Sequence, residues 1–350
     1  MILNTSVLAG ENFNYVEEAC IIIDRGRIQD VSEGHAHGGA DYTDYITTPS
    51  FYNAHTHIGD SFAKDAVLGM TVSRAVGKSG VKWRLYEQST RQQRIAAMRD
   101  TLAFMLSSGT TAFSDFREHG LTGIQELKLA LGKSPVKSVI LGRDVPESAS
   151  DGWGLNLYNL KDLPKNRKKL LAVHAGERAG EVRRAFPYKP DVIIHFTTAT
   201  TAEIKQAARN KISVVVCPRS NALLRAGSPN VRALLDAGVT VSLGTDNVMV
   251  SQPDMFREMA FLFETSHLQG KPLLPKEVFA LATSNGAKTF GLKSGVVKKG
   301  MNANLLFIDK HAQSLRNSRN MLASVVHRCE PENVRKVMID GRFVVNKDKK

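Results

Sequence analysis

Short apolar runs alternate with segments of helical spacing through the middle of the chain, and this alternation limits the possible folds more than any other feature. Helices are predicted at residues 93–106, where apolar side chains recur every three or four residues, and later at 201–209 and 231–237. Alternation over such lengths is typical of a parallel β-sheet, which can be open or closed. The apolar runs predicted as strands cover residues 109–114, 136–141, 170–173, 192–194, 212–216 and 239–243.

Both ends of the chain are instead rich in predicted strands. Residues 19–24 and 27–31 flank an Arg-Gly turn and predict a β-hairpin. Residues 304–309 and 334–340 are also β-rich, and Asp340-Gly341 predicts a turn into another strand. A chain of 350 residues can hold a barrel of about 250 residues and about 100 residues besides. We therefore predict one small β domain built from both termini.

The charge balance is strongly basic, with a formal net charge of +13 and a pI near 9.6. The densest basic clusters, at residues 165–169 and 347–350, contain no aromatic residues that could stack on bases. We therefore interpret the charge as a solvated basic surface and do not expect a nucleic-acid partner. No GxGxxG or GxxxxGK[ST] motif follows the first strand of the alternating region, so a Rossmann or P-loop nucleotide site is not supported.

Cysteine usage and the chain ends indicate the compartment. Cys20, Cys217 and Cys329 are odd in number, far apart and form no CxxC pair, which favours a reducing environment over a disulfide framework. The first residues lack the basic and apolar regions of a secretory signal. No window approaches 18 uncharged apolar residues. These features predict a cytoplasmic protein with no membrane partner.

Four predicted strands end in residues that can bind metals or transfer protons. They are His55 with His57, then His174 followed by Glu177, then His195, and finally Asp246. Each pattern has a plain structural alternative, since an HxH pair can be incidental, a core histidine can bond to backbone, and an aspartate often caps a helix. Active sites of barrel enzymes lie at the carboxyl ends of the strands, so the occurrence of all four patterns together favours a shared site.

The chemistry expected of such residues is hydrolysis. Residues i and i+2 of a strand point to one face, so His55 and His57 can bind the same ion. A bound zinc ion lowers the pKa of a water molecule from 15.7 to about 7, which makes it a nucleophile for an sp² carbon. Asp246 would accept its proton, Glu177 would pass a proton to a substrate nitrogen, and His195 would stabilise the transition state.

The motifs resemble those of the amidohydrolase superfamily, and within it the aminohydrolases that include cytosine, guanine and adenosylhomocysteine deaminases. The resemblance extends over essentially the whole chain, including both β-rich ends. The matching motifs are His55-Thr56-His57, Gly109-Thr110-Thr111, His174-Ala175-Gly176-Glu177, His195, Cys217-Pro218-Arg219-Ser220-Asn221 and Gly244-Thr245-Asp246.

The resemblance implies a fold and a set of roles. The fold would be a (β/α)8 TIM-like barrel at residues 48–300, with a β-sandwich domain made from residues 1–47 and 301–350. The function would be hydrolytic deamination of an amino-substituted heterocycle or nucleoside-like compound, with release of ammonia. One divalent ion is expected, zinc before iron or manganese. The family's ligands fall on His55, His57, His174 and Asp246, its proton-shuttling glutamate on Glu177 and its catalytic histidine on His195.

Several alternatives stay open. The bond cleaved could belong to a cyclic amide, N-acyl or halide substrate. The alternative that is not an enzyme is a non-catalytic barrel with a binding role. Binuclear relatives need a bridging lysine at the end of the fourth strand; Lys161 and Lys165 lie in a stretch, 144–169, where only residues 155–158 weakly predict a strand.

The substrate and the oligomeric state are less constrained. We expect a small-molecule substrate that can be anionic, because arginines follow two of the strands. A homo-oligomer is an open expectation. The candidate substrate-binding residues are Phe62, Trp83, Arg143, Arg219 and Asn221.

Overall fold

Two β-sheets organise the described part of the chain in the computed structural model, which covers residues 1–77, 79–163 and 166–348. In chain order the strands are β1 Ile2–Ala9, β2 Asn14–Asp24, β3 Arg27–Glu33, β4 Ala40–Pro49, β5 Phe51–His57, β6 Thr110–Arg117, β7 Lys137–Gly142, β8 Gly152–Asn156, β9 Leu170–Ala175, β10 Val192–His195, β11 Ser213–Val216, β12 Val241–Leu243, β13 Asp246–Asn247, β14 Leu305–Asp309, β15 Val334–Ile339 and β16 Arg342–Asn346.

The helices lie mainly between strands of the second sheet and after it. In chain order they are α1 Val72–Val76, α2 Val81–Gln88, α3 Arg91–Ser107, α4 Gly120–Leu131, α5 Glu181–Ala185, α6 Thr201–Arg209, α7 Pro218–Leu223, α8 Val231–Asp236, α9 Met255–Leu268, α10 Pro275–Ala282, α11 Ser284–Thr289 and α12 Met321–His327. Short 3-10 helices cover Ile58–Ala63, Glu147–Ala149, Leu157–Asp162, Phe186–Tyr188 and Pro331–Asn333. None of the described helices is long and apolar enough to cross a membrane.

The first sheet combines strands from both ends of the chain in the order β16-β15-β14-β4-β1-β2-β3. The predicted hairpin is confirmed, because β2 and β3 pair antiparallel. The two ends of the chain meet where β4 and β14 pair antiparallel, with Thr47 opposite Phe307. Leu3, Ile21 and Phe307 are fully buried in the core of this sheet. The β-sandwich predicted for residues 1–47 and 301–350 stays a prediction.

The second sheet is parallel and curled, with the order β12-β11-β10-β9-β8-β7-β6-β5-β13. Its central strands are apolar and buried along their length, as in β10 (VIIH), which is typical of a parallel sheet covered on both faces. At one edge β12 pairs with β11, and at the other edge β13 pairs with β5. Because Gly244 and Thr245 alone separate β12 from β13, one short segment reaches both edges of the curled sheet.

The fourth strand of this sheet is β8, which pairs with β7 and β9. The weak prediction at 155–158 overlaps only its last residues. Its sequence, GWGLN, does not predict a strand because glycine has low β-propensity. The glycines are needed for space: a Cβ at Gly152 would lie 2.8 Å from the Leu170 carbonyl oxygen, and one at Gly154 2.9 Å from Leu141.

Lysine does not end this fourth strand. Asn156 ends it, and Lys161 is exposed in the 3-10 helix Leu157–Asp162 that follows. Lys165 lies outside the described residues.

The predicted helices agree with the structure. The helix predicted at 201–209 is α6, which begins with a capping box: Thr200 Oγ1 accepts from Glu203 N at 3.3 Å, and Glu203 Oε2 accepts from Thr200 N at 2.7 Å. The helix predicted at 93–106 is α3, and that at 231–237 is α8 with one residue fewer.

The chain divides into two compact units. One consists of Met1–Tyr52, Phe104–Thr111 and Asp254–Lys350, and contains the first sheet. The other consists of Asn53–Ala103 and Ala112–Pro253. Every residue of the candidate site belongs to the second unit.

Candidate metal centre

Four donor atoms from three parts of the curled sheet meet at one point. His55 Nε2 lies 3.1 Å from Asp246 Oδ1 and 3.2 Å from His174 Nε2. His57 Nε2 lies 3.3 Å from His174 Nε2 and 3.6 Å from Asp246 Oδ1. The three imidazoles and the carboxylate predicted as ligands therefore converge, although the residues are up to 191 positions apart in sequence.

The spacing of these atoms fits a metal ion. Ligand atoms placed about 2.0–2.1 Å from a common tetrahedral ion lie about 3.3–3.4 Å from one another. The separations between the four donors, 3.1 to 3.6 Å, span this value. Nitrogen donors with one hard carboxylate are a donor set that divalent ions such as zinc, iron and manganese accept.

The strand β5 supplies two of the donors because its alternate residues point to one face. His55 is fully buried and His57 is 6% exposed. Gly244 packs directly on His55, since a Cβ at residue 244 would lie 2.8 Å from the backbone nitrogen of His55. A larger residue at position 244 would therefore push the segment between β12 and β13 away from His55.

Asp246 is held in an unusual backbone conformation at the end of this segment. Its φ is +59°, which an aspartate tolerates better than most residues. Ser220, near the start of α7, donates its hydroxyl to Asp246 Oδ2 at 2.5 Å. This bond leaves Oδ1 to face the histidines. Residues other than glycine with positive φ, such as Asp246, occur most often at functional sites.

His174 is the penultimate residue of β9 and lies beside Asn156, its register partner on β8. The Asn156 side-chain oxygen accepts from Nδ1 of His174 at 2.8 Å, which fixes the ring with Nε2 toward the other donors. Burial holds the pKa of His55 at about 4 and lowers that of His174 well below its ordinary value. Both imidazoles are therefore neutral at pH 7, the state in which a ring nitrogen can bind a metal.

Glu177 and His195 lie next to each other at the edge of this site. Glu177 Oε1 is 3.6 Å from His195 Nε2, and the Glu177 side chain is 18% exposed. Burial raises the pKa of Glu177 above its ordinary value, against the opposing charge of His195. A carboxyl group with a raised pKa can carry a proton to a substrate near neutral pH.

Two sharp turns bring this pair together. Gly176 has φ +105°, a conformation that L side chains rarely adopt. His195 and Phe196 also have positive φ, +76° and +56°. A Cβ at Gly176 would lie 2.7 Å from the Phe196 Cα, so the turn after β9 and the turn after β10 pack without space for a side chain.

A cavity lies over the four donors, and two of the predicted substrate residues line it. Trp83 reaches it from α2 and donates Nε1 to the Gly77 carbonyl at 2.8 Å. Arg143 follows β7, is 7% exposed, and donates Nε to the Gly154 carbonyl at 3.3 Å. Glu177 and His195 line the same cavity.

The other three predicted substrate residues do not line this cavity. Phe62 packs against the Tyr86 ring with centroids 5.0 Å apart and lines a separate groove, because the 3-10 helix after β5 turns its side chain away. Arg219 donates Nη1 to the Gln252 carbonyl at 3.1 Å. Asn221 is 1% exposed and accepts from His195 Nδ1 at 2.9 Å, so it orients a site residue.

Comparison with known proteins decides the family. The family model described as "Amidohydrolase family" matches residues 46–185 and 145–344. An uncharacterized protein of Methanocaldococcus jannaschii is 32% identical over 95% of this chain and 96% of its own length. The chain belongs to the amidohydrolase family.

Further similarities agree with this membership. The 5-methylthioadenosine/S-adenosylhomocysteine deaminase of Thermococcus onnurineus is 26% identical over 99% of this chain and 93% of its own. The crystal structure of an adenosine deaminase from Xanthomonas campestris with bound zinc has a TM-score of 0.81, 18% identity, and coverage of 99% and 93% of the two chains. At family level the chain is a metal-dependent hydrolase of C–N bonds other than peptide bonds, and deamination is the supported reaction.

Charged residues that the sequence patterns did not indicate also lie at the metal centre of this amidohydrolase. Glu118 follows β6 directly and its Oε1 lies 2.8 Å from His57 Nδ1. Lys82, on α2, lies 2.6 Å from the same carboxylate. The strand predicted at 109–114 ends three residues before β6 does, which hid Glu118. Extending the predicted strand through Asp115-Phe116-Arg117 would have revealed it as another strand-end residue.

Proposed function

We propose that this amidohydrolase deaminates an amino-substituted heterocycle or a nucleoside-like compound by hydrolysis and releases ammonia. The observation that carries the proposal is the meeting of His55, His57, His174 and Asp246 at 3.1 to 3.6 Å beneath a cavity that Glu177 also lines. A carboxyl beside the donors suits protonation of a ring nitrogen. The name of the Thermococcus relative, 5-methylthioadenosine/S-adenosylhomocysteine deaminase, supports this substrate class.

The metal would be held by His55, His57, His174 and Asp246, with zinc preferred over iron or manganese. A divalent ion in this place supplies Lewis-acid chemistry, since it lowers the pKa of a water molecule toward neutrality and so provides a nucleophile. We propose one ion per chain. Asn156 occupies the end of the fourth strand, where a bridging lysine would be needed for two.

The proton transfers would be made by residues of the chain. Asp246, whose Oδ2 is held by Ser220, would take a proton from the attacking water. Glu177 would pass a proton to the substrate nitrogen and regain one from the hydroxyl group added to the substrate, and Asp246 would pass its proton to the leaving amine. His195, oriented by Asn221, presents Nε2 toward the cavity and would stabilise negative charge as it develops on the substrate.

The cavity also has the charge to bind an anionic group. Arg143 lines it and supplies a cationic side chain. A guanidinium can bind a carboxylate or phosphate with two parallel hydrogen bonds. We therefore propose that Arg143 and Trp83 contact the substrate, and that a substrate with an anionic substituent binds better than its neutral analogue.

Finer features of the architecture are part of this proposal. We propose a closed (β/α)8 barrel at residues 48–300 and a β-sandwich domain from residues 1–47 and 301–350. The segment that reaches both edges of the curled sheet supports closure. We also propose a cytoplasmic location, which agrees with three cysteines that form no disulfide in the described part of the chain. Homo-oligomerisation is proposed on the family resemblance alone.

Two measurements on the full chain test the function. Metal analysis of purified protein should give one divalent ion per chain. A screen for ammonia release over purines, pyrimidines and their nucleosides should give at least one substrate. Ammonia from none of them, with metal present, would favour the alternative of a cyclic amide, N-acyl or halide substrate.

The variants Glu177→Gln and His55→Ala separate proton transfer from metal binding. We expect Glu177→Gln to keep its metal and to lose turnover by about 10²- to 10⁴-fold, the usual contribution of a proton-transfer group. His55→Ala should lose both its bound metal and its turnover. Glu87→Gln, on the exposed side of α2, is a control that should change neither. Wild-type turnover in Glu177→Gln would refute the assignment of Glu177.

A further inference from the structure

A cluster of buried charges lies beside the donor atoms and has no part in the proposed chemistry. Lys82 Nζ lies 2.7 Å from Asp60 Oδ2 and 2.6 Å from Glu118 Oε1. The three residues are between 1% and 4% exposed. Buried charges are costly unless they are paired, and removing one partner is strongly destabilising. Such a cluster therefore needs a reason other than stability.

Neighbouring residues hold both carboxylates in place. Tyr86 donates its hydroxyl to Asp60 Oδ1 at 2.8 Å, and Asn247 Nδ2 donates to Asp60 Oδ2 at 2.5 Å. Arg117 Nη2 lies 3.2 Å from Glu118 Oε2. Each carboxylate oxygen of Glu118 thus has a cationic neighbour, which fixes the orientation of the group.

The remaining contact of Glu118 is with a proposed metal ligand. Its Oε1 lies 2.8 Å from Nδ1 of His57, while Nε2 of the same ring faces His174 and Asp246. This 2.8 Å contact lacks the alignment of a hydrogen bond, because His57 Nδ1 has no hydrogen-bond partner among the described residues. A carboxylate at one ring nitrogen favours the tautomer that leaves the lone pair on the other nitrogen, and it restrains rotation of the ring.

A second cation site is the alternative use of these residues. His57, Asp60 and Glu118 have potential ligand atoms within 4.8 Å of one another. The Lys82 ammonium, however, lies within hydrogen-bond distance of both carboxylates and takes the place of such a cation. The arrangement therefore favours a positioning role.

We propose that Glu118, held by Lys82, is a positioning residue that fixes the His57 ring for metal binding. This inference rests on the proposed metal site and adds a residue to it that does not itself touch the metal. Partners of metal-binding histidines typically contribute about 10- to 100-fold to metal affinity.

The test compares zinc affinity among variants of the full chain, measured by competition with a chromophoric chelator. Glu118→Ala should weaken zinc binding by about 10- to 100-fold. Glu118→Gln should lose less, because its side chain has the same size and keeps an oxygen beside Nδ1 of His57. The matched control is Glu126→Ala, which removes another buried glutamate of the same unit, one paired with Arg94 at 2.5 Å. The control should keep the wild-type zinc affinity.

A spectroscopic measurement separates positioning from a loss of stability. In protein loaded with Co²⁺, Glu118→Ala should shift the visible d–d absorption bands, which report ligand geometry, and Glu126→Ala should not. If Glu118→Ala does not fold, Glu118→Asp carries the test, since it keeps the charge for Lys82 but withdraws the carboxylate from His57. It too should bind zinc more weakly than the wild type.

The outcomes distinguish this inference from the proposed function. Wild-type zinc affinity in the Glu118 variants, or an equal loss in Glu126→Ala, would overturn the positioning role while leaving the metal site intact. A wild-type chain that binds no zinc or Co²⁺ would instead refute the metal site on which the inference depends.

Discussion

Substitution of Gly176 by alanine tests whether the turn between His174 and Glu177 builds the site. Gly176 has φ +105°, outside the left-handed region that other residues tolerate, and this strain costs about 1–3 kcal/mol. An added Cβ would also lie 2.7 Å from Phe196 Cα and 3.0 Å from Phe196 N. Because those atoms are backbone, relief requires a shift of the chain, which costs about 1–3 kcal/mol more. The sum is a loss of about 2–6 kcal/mol in the free energy of unfolding.

The same segment contains a matched control. Gly180 also has positive φ, +79°, but nothing lies within 4 Å of an added Cβ. Gly180→Ala should therefore cost only the left-handed strain of about 1–2 kcal/mol. The difference between the two variants reports the contact with Phe196 together with the greater backbone strain at φ +105°.

Urea unfolding of the two metal-loaded variants, followed by circular dichroism, measures the difference in stability. Turnover should also separate them, because a displacement of Glu177 by about 1 Å can lower the rate by about 10²-fold. Gly180→Ala should keep the wild-type rate. Equal stability and equal turnover in the two variants would show that the close packing at Gly176 does not matter.

Two further predictions concern the metal and its surroundings. Removing the metal with a chelator should lower the melting temperature by about 5–15 °C, since binding at 100 to 1,000 times the Kd stabilises by about 3–4 kcal/mol. Differential scanning calorimetry checks this, and the melting temperature of His55→Ala should not respond to zinc. Asn221→Ala should lower kcat with metal content unchanged, because the His195 ring loses its acceptor at 2.9 Å. Loss of metal from this variant would contradict a role limited to His195.

Local sequence patterns predicted the strand ends that carry the donors. Runs such as LLAV before His174 and VII before His195 are long enough and apolar enough to predict buried strands without knowledge of their neighbours. The spacing of His55 and His57 placed both rings on one face for the same local reason. Helix α6 was predicted at its observed bounds because its capping residues and apolar spacing are also local.

Other features depend on contacts that local patterns do not contain. The glycines of β8 conceal a strand whose form depends on packing against Leu141 and Leu170. Phe62, Arg219 and Asn221 follow or accompany strand ends, but their side chains do not line the cavity. Lys82 and Glu118 are 36 residues apart and meet only because α2 lies beside the end of β6.

The amino-acid sequence by itself determined which residue types end the strands, because apolar periodicity and turn residues act over a few positions. The tertiary structure decided which of those residues meet. Their donor atoms come within 3.1 to 3.6 Å because parallel pairing places every strand end at the same edge and the curl of the sheet brings the first and last strands together. Distances of that kind depend on the whole sheet, and therefore on residues far from the site in sequence.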